Sequence, residues 1–244
     1  MQRPPLGAAF FYAMNLSTRL LAMTVLALAG CATPVVPTDS AGWQPVALPG
    51  KRATTYDWDA KDGRPALRAR ANRSASLLRR KLTIEPELLG EVRFSWWVDA
   101  PLPGADVAAP GLGDAPARIL FAFDGDHSKL SARNRLLFDL AQTISGERPP
   151  FATLMYVFGN QPTNLGRTLV HARTDRVRKI VVDAGAQHAG RWREHVRNLA
   201  QDYQQAFSEP PGRLLSVALL TDGDNTQQRA LAWYGPIRFL PRAD

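Results

Sequence analysis

Cysteine is almost absent. Cys31 is the only one in 244 residues, which excludes an intrachain disulfide and any cysteine-built zinc site. The recognisable enzyme signatures are missing as well. No G-x-S-x-G elbow, G-x-x-x-x-G-K-[ST] loop, G-x-G-x-x-G turn or H-E-x-x-H helix occurs, so those hydrolase, P-loop, dinucleotide and zincin templates do not apply. Histidine is scarce. Of His127, His171, His188 and His195, only the last two are near each other, and no carboxylate motif joins them. A histidine metal site is therefore not expected.

What is present is an ordinary globular composition, 45% hydrophobic and 21% charged, with enough Pro and Gly (19 and 18) to favour turns over long helices. Net charge is +8, and removing Arg3 and Arg19 with a leader leaves 28 − 22 = +6. Arg far outnumbers Lys, and the basic residues are scattered without a stripe or recognition motif, so no nucleic-acid partner is expected.

The N-terminal region reads as a leader. Met14 is the expected start, Arg19 is a short basic region, and Leu20–Gly30 is an apolar run too short to span a bilayer. Leu28-Ala29-Gly30-Cys31 resembles the lipobox of bacterial lipoproteins, which implies cleavage before Cys31 and acylation of its thiol. More than one acyl chain gives a stable anchor in a lipid bilayer. Ala32 supplies no Asp retention signal. By resemblance to enteric sorting, the expected location is the periplasmic face of the outer membrane in the cell envelope. Residues 32–50, with Pro34, Pro37, Pro45 and Pro49, read as an extended tether.

From Lys51 to residue 240 the pattern predicts a single domain. Asp62-Gly63 marks a hairpin between Thr54–Asp57 and Ala66–Ala71. Glu91–Asp99 alternates, with Val92, Phe94, Trp96 and Val98 on one face and Arg93, Ser95, Trp97 and Asp99 on the other. Further strands are expected at Arg118–Asp124, Thr153–Phe158, Lys179–Asp183, Leu214–Leu220 and Arg229–Phe239. Two helices are expected. Ser128–Ile144 carries Leu130, Leu137, Leu140 and Ile144 on one stripe, and Gly190–Phe207 carries Trp192, Val196, Leu199, Tyr203 and Phe207 on one stripe. Eight or nine strands with one or two packed helices predict a mainly β fold, a β-sandwich of jelly-roll type.

Five segments, in this order, resemble the bacterial family called domain of unknown function 3047. They are Trp96-Trp97-Val98-Asp99, Phe123-Asp124-Gly125, Asp202-Tyr203-Gln204-Gln205-Ala206-Phe207, Thr221-Asp222-Gly223-Asp224-Asn225-Thr226 and Tyr234-Gly235-Pro236-Ile237-Arg238-Phe239. The resemblance implies a β-sandwich similar to carbohydrate-binding jelly rolls. It carries no activity.

Two features could carry chemistry. Asp124-Gly125-Asp126-His127-Ser128 and Asp222-Gly223-Asp224-Asn225-Thr226 share the pattern D-G-D-x-[ST], each after an apolar strand. Oxygens at alternate positions of a tight loop suit Ca²⁺, so Asp124, Asp126, Asp222, Asp224 and Asn225 are candidate ligands, expected to lie close together on one rim. The same residues also fit ordinary Asx turns, and Asp124 with Asp222 could form a glycosidase carboxylate pair. The second feature is aromatic. Trp97 on the polar face of its strand, with Asp99, Arg93 and Tyr234, could stack on and hydrogen-bond a sugar, unless both faces of that strand are buried. The expected function is binding of a glycan or related envelope polymer. The alternatives are a carboxylate-based glycoside hydrolase and a structural lipoprotein that takes an envelope protein partner on a sheet edge.

Overall fold

The computed structural model describes residues 42–240. The expected leader, Cys31 and the tether up to residue 41 lie outside the described residues. In chain order the elements are β1 (Trp43–Ala47), β2 (Thr55–Lys61), β3 (Arg64–Asn72), β4 (Ser76–Ile84), β5 (Glu91–Val98), β6 (Arg118–Phe123), helix α1 (Ala132–Ser145), β7 (Ala152–Gly159), β8 (Thr168–His171), β9 (Thr174–Ala184), β10 (Trp192–Asn198), helix α2 (Leu199–Phe207), β11 (Leu214–Leu220), β12 (Arg229–Tyr234) and β13 (Arg238–Leu240).

These strands form a β-sandwich of jelly-roll type. One sheet has seven strands in the order β1-β4-β11-β6-β7-β9-β8. The other has the path β10-β5-β12-β3-β2, with β13 also paired to β5. Only β7 and β9 run parallel among the paired strands; the remaining pairs are antiparallel. The β2–β3 hairpin turns at Asp62 and Gly63, both with positive φ (53° and 75°), which is the geometry of a type I′ turn matched to strand twist.

The core lies between the inner sheet faces. Val92, Phe94 and Trp96 of β5 meet Ile119, Phe121 and Phe123 of β6, Leu154, Tyr156 and Phe158 of β7, and Val217 and Leu219 of β11. Phe94 stacks on Tyr156 at 5.4 Å between ring centres. Helix α2 adds Leu199, Tyr203 and Phe207 to this core, with the Tyr203 ring 4.6 Å from Phe123 and 4.5 Å from Phe207.

Three expectations are corrected here. First, the segment expected as one helix, Gly190–Phe207, is a strand followed by a helix. Trp192 and Val196 sit on β10, paired with β5, and Asn198 ends the strand and caps α2 by accepting from the Gln201 N–H. A spacing of four fits both a helix face and one side of a strand, so Trp192 and Val196 satisfied either period. The alternation that decides the matter is Arg193, His195 and Arg197. All three turn toward buried carboxylates, Asp183 for the first two and Asp202 for the third.

Second, α1 does not bury its leucine stripe. Leu130 is buried but precedes the helix, while Leu140 and Ile144 are 55% and 59% exposed. A polar anchor sets the orientation instead. Buried Asn134 donates to Asp175 Oδ1 at 2.5 Å and accepts from the Thr174 hydroxyl at 2.9 Å, which turns Phe138 rather than the leucines inward.

Third, the expected tether contains a strand. Trp43–Ala47 pairs with β4 at the edge of the seven-stranded sheet, so the ordered fold begins before Lys51. Strand β4 itself, Ser76–Ile84, was hidden by its charges. Its Leu78, Leu82 and Ile84 face the core, while Arg79 and Lys81 face out.

Candidate functional site

The two D-G-D loops are separated by the topology that creates them. Strands β6 and β11 are antiparallel neighbours, with Phe123 opposite Leu214 and Arg118 opposite Leu220. Asp124 therefore follows β6 at one end of the sheet, where its N–H donates to the Arg213 carbonyl, and Asp222 follows β11 at the other, where its N–H donates to the Ala115 carbonyl. The separation is the length of a strand, ~20 Å at about 3.4 Å per residue. This corrects the expectation of one shared rim. It also removes Asp124 and Asp222 as a glycosidase pair, which needs carboxyls within about 9.5 Å.

Each loop's glycine is dictated by a close approach. A Cβ on Gly125 would fall 2.2 Å from the Phe151 ring, and one on Gly223 would fall 2.6 Å from the Gln228 carbonyl oxygen.

At the far end, Asp222 and Asp224 gather with a residue the sequence reading passed over, Asp114. One carboxylate oxygen from each of the three lies within 4.8 Å of the others. Asp114 accepts from the Asn225 side-chain N–H at 2.7 Å and from both the Thr226 N–H and hydroxyl at 2.7 Å. Asn225 thus holds Asp114 with its amide N–H. Asp222 accepts from the Ala115 N–H at 2.9 Å and from the Arg118 guanidinium at 3.0 Å, while Lys51 pairs with Asp224. Burial pushes the Asp222 carboxyl up to about 6; Arg118 and the Ala115 N–H oppose the rise, and the Asp114 and Asp224 charges add to it.

The near-end loop borders a broad groove of about 1160 Å³ on the outer face of the seven-stranded sheet. Its apolar floor includes Leu77, Leu120, Ala122 and Ala218. Its polar rim includes Arg79, Asp124, Asp126, His127, Glu147 and Arg148. The rim is held in place. Asp126 accepts from the Ser128 hydroxyl at 2.6 Å and its N–H at 3.0 Å, Asp124 pairs with Arg213 at 3.0 Å, and Glu147 takes a two-pronged contact from Arg79 at 2.8 and 3.1 Å. The Ser128 hydrogen bonds lower the Asp126 carboxyl, and Arg79 lowers that of Glu147.

The aromatic residues are arranged differently from the expectation. Trp192, Trp97 and Trp233 lie side by side across β10, β5 and β12 on the outer face of the six-stranded sheet. Trp97 is only 9% exposed. Trp233 meets it edge-on at 5.0 Å, and the Lys61 ammonium sits 4.1 Å over its ring. Tyr234 is fully buried. Its hydroxyl is shared with Thr221 at 2.8 Å, donates to the Leu220 carbonyl at 3.0 Å and accepts from the Arg118 N–H at 3.2 Å. It is a core residue and not a surface ligand group. Arg93 and Asp99 are exposed at the two ends of β5, bordering separate shallow hollows, so these four residues do not form one site.

The histidines also gain a partner that spacing did not show. Asp183, fully buried at the end of β9, accepts from the Trp96 indole N–H at 2.9 Å, His195 Nε2–H at 2.8 Å and Arg193 Nε–H at 3.1 Å, and His188 Nδ1 lies 3.0 Å away. Burial acts to raise this carboxyl, but the His195 and Trp96 hydrogen bonds and the Arg193 charge hold it below the usual carboxylate range.

The described residues thus form a two-sheet β-sandwich with an open outer groove on one sheet and, on the other, a row of tryptophans whose central member, Trp97, is buried. The chain belongs to the family described as "Protein of unknown function (DUF3047)", which matches residues 41–238. No curated protein matches the chain in sequence. Two solved structures align over most of its length. "Cellulose induced protein, Cip1" has 10% identity, covers 82% of this chain and 91% of its own, and has a TM-score of 0.30. The family 11 xylanase from Neocallimastix patriciarum has 9% identity, covers 81% and 96%, and also has a TM-score of 0.30.

Proposed function

We propose that the protein is a lipid-anchored envelope protein, on the periplasmic face of the outer membrane, that binds a glycan or related envelope polymer in the groove of the seven-stranded sheet. The observation that carries this reading is the groove's make-up. A shallow apolar floor of Leu77, Leu120, Ala122 and Ala218 suits the C–H faces of a sugar, and the ring of Arg79, Asp124, Asp126, His127 and Glu147 supplies donors and acceptors for hydroxyls. A glycosidase needs one carboxyl kept protonated, and two of the groove's carboxyls, Asp126 and Glu147, are held below their ordinary range, which suits binding better than acid catalysis by those two.

A glycan array with the full chain, followed by reducing-sugar assays, is expected to give binding without turnover. Asp126→Ala and Arg79→Ala should each weaken binding by about tenfold, roughly the loss of one charge-assisted hydrogen bond, with little change in thermal midpoint. Turnover would favour a hydrolase, and silence on the array would favour an envelope protein partner. Undiminished binding in both variants would remove the groove as the site. The anchor is tested separately: labelled palmitate should enter the wild type and not Cys31→Ser, and equal labelling would overturn the anchor.

We also propose Ca²⁺ as the ligand of Asp114, Asp222 and Asp224, the three carboxylates that gather at the far end. A cation there would take the charge-balancing role of Lys51, whose side chain is 40% exposed. Excess Ca²⁺ over chelator is expected to raise the thermal midpoint, and Asp224→Asn to abolish the rise. An unchanged midpoint would leave the protein's own cations, Lys51 and Arg118 among them, as the counter-charges.

A further inference from the structure

Helix α1 presents an apolar stripe that stands exposed among the described residues. Leu136, Leu140 and Ile144 follow one another at steps of four and are 71%, 55% and 59% exposed. They lie opposite Asn134 and Phe138, the side chains by which the helix is held. Arg133 and Arg135 stand exposed in its first turns and Arg148 just beyond its end, against one helix carboxylate, Asp139. An aliphatic stripe bordered by arginines is the pattern of a helix that lies in a bilayer interface, with its aliphatic side chains among the acyl chains and its guanidinium groups at the phosphates.

The position of the helix relative to the tether favours the same occupant. The tether enters the fold at Gly42, next to the Arg80 side chain of β4. The adjacent β4 residue, Arg79, holds Glu147, two residues past the end of α1. Eleven residues separate Cys31 from Gly42, a reach of at most ~36–40 Å. An acylated Cys31 would therefore keep α1 within a short distance of the membrane, where a contact too weak to act alone becomes effective. A second copy of the chain is a poorer occupant, because three side chains fall far short of the roughly 800 Å² per partner of a stable interface.

We infer that α1 is a membrane-contacting helix that lays Leu136, Leu140 and Ile144 into an anionic lipid surface and so orients the sandwich on the bilayer. This rests on the lipid-anchor reading above.

The test uses the acylated protein, in which Cys31 is consumed and an introduced cysteine is the only free thiol. Leu140→Cys and, as a control on α2, Gln205→Cys carry a bimane dye. Each is reconstituted in phosphatidylcholine vesicles containing a minority of phosphatidylglycerol and a headgroup-region nitroxide lipid. Strong quenching at 140, none at 205, and loss of quenching at 140 when Leu136→Ser and Ile144→Ser are added are expected. No quenching at 140 with one dye per chain would overturn the inference and leave the anchor standing. Two dyes per chain would show Cys31 free, ending the anchor and this inference with it. A blue shift at 140 that grows with protein concentration without vesicles would assign the stripe to a second copy and also overturn it.

Discussion

Asp183→Ala is expected to destabilise the domain by about 3–5 kcal/mol, the range for breaking a buried ion pair by removing one partner. At about 2–4 °C per kcal/mol for a domain of this size, the thermal midpoint should fall by roughly 6–20 °C. The reason lies in what the substitution strands. The Trp96 indole N–H, His195 Nε2–H and Arg193 Nε–H all end on this one carboxylate, and Trp96 has no exposure to water. Asp183→Asn keeps one acceptor oxygen and should fall between the two. The pH dependence follows from the depressed carboxyl. The native state holds the ionised form more strongly than the unfolded chain does, so this contribution is present above the unfolded value of about 3.9 and is lost as pH falls through the native one. Urea unfolding of wild type and Asp183→Ala from neutral to acid pH should show the difference between them shrinking only on the acid side. A midpoint within about 2 °C of wild type at neutral pH, less than the shift from 1 kcal/mol, would mean the hub is not a source of stability.

Tyr203→Ala should be of similar size, about 3–5 kcal/mol, by loss of a fully buried aromatic ring and the cavity left behind. Tyr203 packs between Phe123 and Phe207 and, with Leu199, joins α2 to the core. Tyr203→Phe removes only the hydroxyl bond to Glu209 at 3.3 Å and should cost about 0.5–1.5 kcal/mol. Trp192→Ala is the informative contrast. As part of one long helix it would cost as much as Tyr203→Ala. On β10, half-buried, with its indole N–H on the Lys61 carbonyl at 3.3 Å, it should cost clearly less. Equal losses at 192 and 203 would contradict this packing.

Strand β5, the Asp62-Gly63 hairpin and the run of β6, β7 and β11 were legible because their alternation or turn chemistry is contained in a few consecutive residues. The family landmarks were legible for the same reason, since each is a short contiguous motif. Strand β4 was not, because Arg79, Arg80 and Lys81 interrupt its apolar positions. Strand β10 was not, because its aromatic spacing also suits a helix. The sealing of Trp97 could not be read either, since Lys61 and Trp233 reach it from other strands.

Chain-local chemistry thus determined many of the strands of the β-sandwich, the glycine-dependent hairpin turn and the expectation of a lipid anchor at Cys31. Tertiary structure alone decided which of these features meet. The two D-G-D loops are nearly identical as text, yet antiparallel pairing of β6 and β11 sends them to opposite ends of the sheet. Asp114 joins Asp222 across 108 positions, and Asp183 becomes the common partner of His188, His195, Arg193 and Trp96. The physical reason is range. Periodicity and turn propensity act over neighbouring residues, whereas a carboxylate's partners are set by strand order, and strand order is settled by burying one common core.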